Sequence, residues 1–173
     1  VSVRVALVAR DSITTTVTNI GTVQALNTVL IRARVDGVID QVLFKEGQLV
    51  SQGEVLAKLD PLPFEAQLRA NQAQLAKDNA LLDNARIDLH RYESLVEADS
   101  ISTQTRDTAR SLVSQLTAAV ATDAAQVDLA RLSLSYTTIR APLSGRVGAR
   151  LIDAGNIVHA TDTNGLVVIT QVT

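Results

Sequence analysis

Cysteine is absent from the 173 residues, which excludes disulfides, thiolate metal sites and cysteine nucleophiles, although an oxidising compartment remains permitted. Aromatic residues are nearly as scarce, at 2% of a chain that is 46% hydrophobic, so the apolar content is Ala, Val and Leu. Such side chains suit thin layers, for example a seam between two helices, and argue against a deep aromatic ligand pocket. No apolar run approaches the ~20 residues needed to span a bilayer. No signal peptide is present and the chain starts at Val, so a mature or trimmed piece is expected, with room for targeting or anchoring segments outside it. A basic excess is missing too. The net charge of -2 gives no electrostatic footprint for nucleic acid, and the interspersed charges read as solvated helix faces.

What is present is a sevenfold repeat. Leu68, Leu75, Leu82, Leu89 and Val96 mark it along one stretch, and Val113, Val120, Val127 and Leu134 along a second. Two such runs are a coiled-coil seam repeated twice. The phase breaks at Ala98-Asp99-Ser100-Ile101-Ser102, a short polar interruption that lets two antiparallel helices reverse. Residues 61–134 therefore read as a long helical hairpin with its tip near 95–102, begun by Asp60 as N-cap and Pro61 as first helical residue. Strict sevenfold spacing predicts left-handed winding. Ala73, Ala85, Ala119 and Ala130 are expected to let the helices approach closely. Asn71, Asp78 and Asp123 each stand three residues after a seam position, where a self-sufficient hairpin would carry Leu.

The flanks of the hairpin are halves of one module. Ile31-Arg32-Ala33, Gly37, Gly47 and Val50 match Ile139-Arg140-Ala141, Gly145, Gly155 and Val158 at one constant offset, and Gly53 with Val55-Leu56 matches Gly165 with Val167-Val168 after a short insertion. These glycines are expected at tight reversals with positive φ. Neither half can bury its apolar face alone, so the two are expected to pack as a flattened β-sandwich. Its core would bring Val38, Val42, Phe44, Val50, Leu56 and Leu59 against Val147, Leu151, Ile157, Val158, Val167 and Ile169. Before it, the alternation over Val1–Val8 and the β-rich run Ile13–Val23 read as strands of an incomplete β-region over residues 1–27, whose partners are expected beyond Thr173, the alternative being that they extend the central β-module.

Chemistry finds little purchase. His90 lies in a charged helix and His159 in a distant β segment, without metal-ligand spacing, and Ser144-Gly145 lacks the context of a nucleophile elbow. A lipoyl or biotinyl carrier would need a Lys at an exposed tip between the halves; that place is opened into the hairpin, and Lys58 precedes it within a strand. The chain reads as a non-enzyme without cofactor or metal.

A Gly-punctuated β-module split by a long hairpin resembles the periplasmic adaptors, or membrane fusion proteins, of tripartite efflux pumps of the resistance-nodulation-division (RND) class. Arg34-Val-Asp-Gly-Val-Ile, Phe44-Lys-Glu-Gly-Gln-Leu-Val, Leu56-Ala-Lys-Leu-Asp-Pro, Ile139-Arg-Ala-Pro-Leu-Ser-Gly-Arg-Val-Gly and Gly165-Leu-Val-Val-Ile-Thr-Gln carry the resemblance, with Asp153-Ala-Gly-Asn pointing to Mdt-type multidrug adaptors. It implies an α+β fold: a lipoyl-like β-sandwich (28–60 and 135–173) split by an antiparallel coiled-coil hairpin (61–134), with residues 1–27 supplying strands of a β-barrel or membrane-proximal region. It further implies a periplasmic location at the inner membrane, an RND transporter and a TolC-type outer-membrane channel as partners, and self-association into a hexameric ring. Family adaptors carry Arg, three residues, Leu, six residues, Ser around the tip, a spacing met by Arg91, Leu95 and Ser102; the resemblance gives these three the channel-docking role. Arg140, Arg146 and Arg150 are candidate ring contacts, with solvated surface as the competing reading. The runner-up is an adaptor of an ABC exporter or type I secretion system.

Overall fold

A computed structural model describes residues 1–21, 24–97 and 101–171. Eight strands and two long helices follow in the order β1 (Asn27–Ile31), β2 (Gly37–Val42), β3 (Leu49–Val50), β4 (Val55–Leu59), α1 (Leu62–Glu97), α2 (Thr103–Ser135), β5 (Thr138–Arg140), β6 (Gly145–Val147), β7 (Ile157–Val158) and β8 (Val167–Gln171). The fold is mixed α+β. Strands pair antiparallel into two four-stranded sheets, ordered β1-β8-β6-β3 and β5-β4-β2-β7. Each sheet thus takes two strands from each half of the repeat. The halves interleave instead of facing one another as separate layers, and their hydrogen bonds come in matched pairs. Gly47 N–H donates to Val147 C=O at 2.9 Å while Gly155 N–H donates to Ile39 C=O at 2.8 Å.

One hydrophobic core fills the space between the sheets. Phe44, Val50, Leu56, Leu59, Val147, Val158, Val167 and Ile169 are buried there as the pattern predicts, and Val42 packs at its margin. Val38, Leu151 and Ile157 do not join them. Val38 pairs with Ile157 across the β2–β7 ladder, and both point outward, so Ile39 takes the inward place. Alternation along a strand leaves only one of two neighbouring apolar residues inside, and the register selects which.

The glycines divide by cause. Gly47, Gly53, Gly155 and Gly165 hold positive φ, as the turns demand. Gly37 and Gly145 do not: they are close-approach positions within strands. A Cβ on Gly145 would stand 2.6 Å from the Thr170 carbonyl oxygen, and one on Gly37 would stand 2.9 Å from Leu59 Cδ2.

The amino-terminal expectation concerned strands paired from outside this chain. No strand forms over residues 1–21, and Val1, Val3, Val5, Leu7 and Ile13 are exposed. Alternating apolar residues make a strand only when another backbone pairs with them, and β1 takes its ladder from β8. Residues 22 and 23 of the second run lie outside the described residues.

Asp60 begins α1 as expected, with Oδ1 accepting the Leu62 N–H at 3.0 Å. At 36 and 33 residues, α1 and α2 each extend about 50 Å. They pack along each other in opposite directions, as the contact from Asn71 Nδ2 to the Gln126 carbonyl shows near the module. Full burial of a Leu or Val contributes ~1.5–3 kcal/mol. Only Leu82 and Val127 of the predicted seam reach it; Leu68, Leu75, Leu89, Val96, Val113, Val120 and Leu134 are half-buried because no third layer covers the pair. Of the small residues, Ala85 and Ala130 are buried in the contact, joined by Ala109, whereas Ala73 is exposed. The reversal at 98–100 lies outside the described residues.

Gly145→Ala should lower stability by about 1–3 kcal/mol through overpacking against backbone. Gly155→Ala, which meets open space, should cost only about 1 kcal/mol through its positive φ. Urea midpoints for the two variants check the ranking; equal losses would show that close approach at Gly145 does not matter.

Candidate functional site

The far end of the helix pair is built from the ends of α1 and α2. Ser102 has extended backbone (φ -68°, ψ 140°), and its Oγ accepts the Gln104 N–H at 3.2 Å, so it caps α2. Arg91 points off α1, and its Nη1 contacts Asp88 Oδ1 at 3.1 Å on the same helix. An exposed pair of this kind adds little to stability and leaves most of the guanidinium donors free to turn to a partner. Leu95, just before the seam position Val96, is 36% exposed, as its place off the seam predicts.

Below these residues lies an open groove of about 510 Å³ between the helices, lined among others by Ala85, Asp88, Tyr92, Ser102, Ala109 and Leu112. The groove brings Ser102 together with Asp88, the partner of Arg91. Leu95 is not part of its lining. Sequence reasoning passed over Tyr92 and Leu112. Tyr92 follows Leu89 by three residues, which is the second seam position of a heptad, and Leu112 immediately precedes Val113; both could have been read from the repeat.

The three arginines proposed for ring contacts stand apart. Arg140 is on the sheet-edge strand β5 and donates from Nη1 to the Gly53 carbonyl at 2.9 Å. Arg146 is on β6, inside the other sheet, and Arg150 lies beyond β6 with its Nη2 at 2.8 Å from Asp153 Oδ1. Arg140 instead shares an open cleft of about 830 Å³ with Arg32 and Arg34. The Arg34 guanidinium lies 5.1 Å from the centre of the Tyr136 ring, a cation–π contact. Arg32 was legible after all: the repeat equates it with Arg140, and the interleaved packing brings both to one cleft.

No group of three or more His, Cys, Asp or Glu side chains able to hold a metal occurs among the described residues. His159 Nδ1 lies 3.7 Å from Asp36 Oδ2 at the surface, and His90 is exposed on α1. Nor, among the described residues, is any helix long and apolar enough to cross a membrane.

A family model described as "RND MFP, barrel-sandwich hybrid domain" matches residues 27–170, which takes in both helices and all eight strands except Gln171, the last residue of β8. The chain belongs to the RND membrane fusion proteins. Within them it is similar to Multidrug resistance protein MdtA of Photorhabdus laumondii, at 43% identity, and to that of Pectobacterium atrosepticum, at 46%, each over 98% of this chain. Those matches cover 42% and 41% of the relatives, so the chain spans about two fifths of the length of the curated MdtA proteins it matches. Among solved structures it is similar to a MacA-MexA chimeric protein containing the Pseudomonas aeruginosa MexA alpha-hairpin domain. The TM-score is 0.55 at 29% identity, over 86% of this chain and 49% of that one.

In this member of the family, Ser102→Ala should cost about 1 kcal/mol by removing the α2 cap. Chemical denaturation gives the stability loss, and faster amide exchange at the start of α2 should accompany it; unchanged exchange there would remove Ser102 from the capping role.

Proposed function

We propose that this protein is the β-module and hairpin of a periplasmic adaptor for multidrug efflux, linking a proton-driven RND transporter in the inner membrane to a TolC-type outer-membrane channel. What carries the reading is sequence identity of 43% and 46% to two MdtA proteins across 98% of the chain. The β-module is then a lipoyl-like domain, the helix pair is an antiparallel coiled-coil hairpin, and residues 1–27 belong to a β-barrel or membrane-proximal region completed by other strands. Catalysis and cofactors have no part in it.

Arg91, Leu95 and Ser102 dock the hairpin tip on the channel. Leu95 offers apolar surface, Arg91 exchanges its contact with Asp88 for carbonyls or carboxylates of the partner, and Ser102 fixes where α2 starts. Docking that is stronger for the open channel than for the closed one shifts the channel toward opening. Six copies form a ring through their β-modules, with Arg140, Arg146 and Arg150 as contacts; because these stand on different elements, they serve different sides of the contact. The exporter and type I secretion alternative is not favoured by an RND family match.

Drug susceptibility of an adaptor-deleted cell carrying the full-length parent protein, either wild type or Leu95→Ser, tests the docking role with adaptor abundance measured in both. Loss of resistance at equal abundance is expected. Full resistance in the variant would remove Leu95 from the joint, and no resistance from the wild type would count against the pump assignment itself.

A further inference from the structure

The middle of the helix pair is polar where a self-sufficient seam would be apolar. Asn71, nearest the β-module, has a partner at each polar atom: its Oδ1 accepts from Gln67 Nε2 at 2.9 Å and its Nδ2 donates to the Gln126 carbonyl at 3.1 Å. One heptad further out, Asp78 faces Asp123 from the opposite helix. Asp78 Oδ2 accepts from Gln74 Nε2 at 3.1 Å, but Asp123 Oδ2 is shut off from solvent and finds no donor. Both stand on the half-buried contact faces of the antiparallel α1 and α2, whose register the Asn71–Gln126 contact sets, and the Asp78 carboxyl acts on Asp123. Two carboxylates are acceptors only, so a bond between them requires that one carry a proton.

We propose that Asp78 and Asp123 form a proton-binding clasp, in which one shared proton joins α1 to α2 and its loss leaves two like charges facing across the seam. The charged groups acting on Asp123 are Asp78 and Lys77, both on α1. Its seam neighbours on α2, Val120 and Val127, and nearby Ala119 and Gln126 carry no charge. Burial first, then the hydrogen bond and the charge of Asp78, push the Asp123 carboxyl up from its ordinary 3.8, against the weaker opposing pull of Lys77.

The sign follows from proton uptake. With its carboxyl raised in the folded state, the native protein holds more protons than the unfolded chain between 3.8 and the raised value. This pair therefore penalises folding most at pH above the raised value. The penalty shrinks as pH falls through the window and is gone below 3.8. The clasp is tight below the raised value and loosened above it, independently of whether the tip docks on any channel.

Asp123→Asn supplies a permanent donor at the same place. Thermal unfolding of the variant should show a Tm about 2–4 °C above wild type at pH 7.5, with the gap narrowing as both are taken down through the raised value toward 3.8. A variant no more stable than wild type at pH 7.5, or a gap that does not change with pH, would overturn the proposal. Carboxyl-carbon NMR titration of the wild-type protein gives a reading that does not depend on how the variant folds. One of the two carboxyls titrating clearly above 3.8 is expected, and both titrating at or below it would also overturn the clasp.

Discussion

The interleaving of the two repeat halves is the constraint from which the rest of the molecule follows. Neither half owns a sheet: β1 and β3 are joined through β8 and β6, and β5 and β7 through β4 and β2. A half alone would expose strand edges and apolar faces together, so the core and the backbone ladders form in one event. That event spans the whole helical insertion. Chain entropy would oppose such distant pairing if the insertion were loose. Two helices of nearly equal length bring the chain back to where it left, and Lys58 pairs with Thr138 at the junction.

Much of this was legible because repeats survive without knowledge of partners. The constant offset exposed the duplication, and the sevenfold leucines and valines exposed the helix pair. Facing was less legible. Val38 and Ile39 are equally apolar, and only the pairing of Val38 with Ile157 turns Ile39 inward. The reason for each glycine was likewise hidden: Gly145 and Gly155 look alike in the repeat, yet one avoids the Thr170 carbonyl and the other bends the chain. At the candidate site, the exposure of Leu95 followed from its place off the sevenfold seam. The grouping of Arg140 with Arg32 and Arg34 depends on which strands end side by side, and the amino-terminal alternation carried no information about whether a partner edge was available.

Stability and recognition are divided between regions. The module holds the fully buried Ile39, Leu56, Leu59, Val147, Val158, Val167 and Ile169, whereas the helices bury few large side chains and keep Leu81, Leu112 and Leu129 exposed. A two-helix seam with Ala at its close contacts and carboxylates at its centre is a marginal structure. Its surface is accordingly the part of the molecule most open to completion by other helices, while the module keeps its shape.

The junction where β4 and β5 lie hydrogen-bonded side by side acts as a fixed mount for whatever is inserted between them. The module makes its ladders and core without reference to the length of that insertion. Adding or removing one heptad from each helix would preserve the seam and change the reach by about 10 Å. Reach is therefore a ruler setting that evolution can adjust in steps of seven residues without redesigning the base.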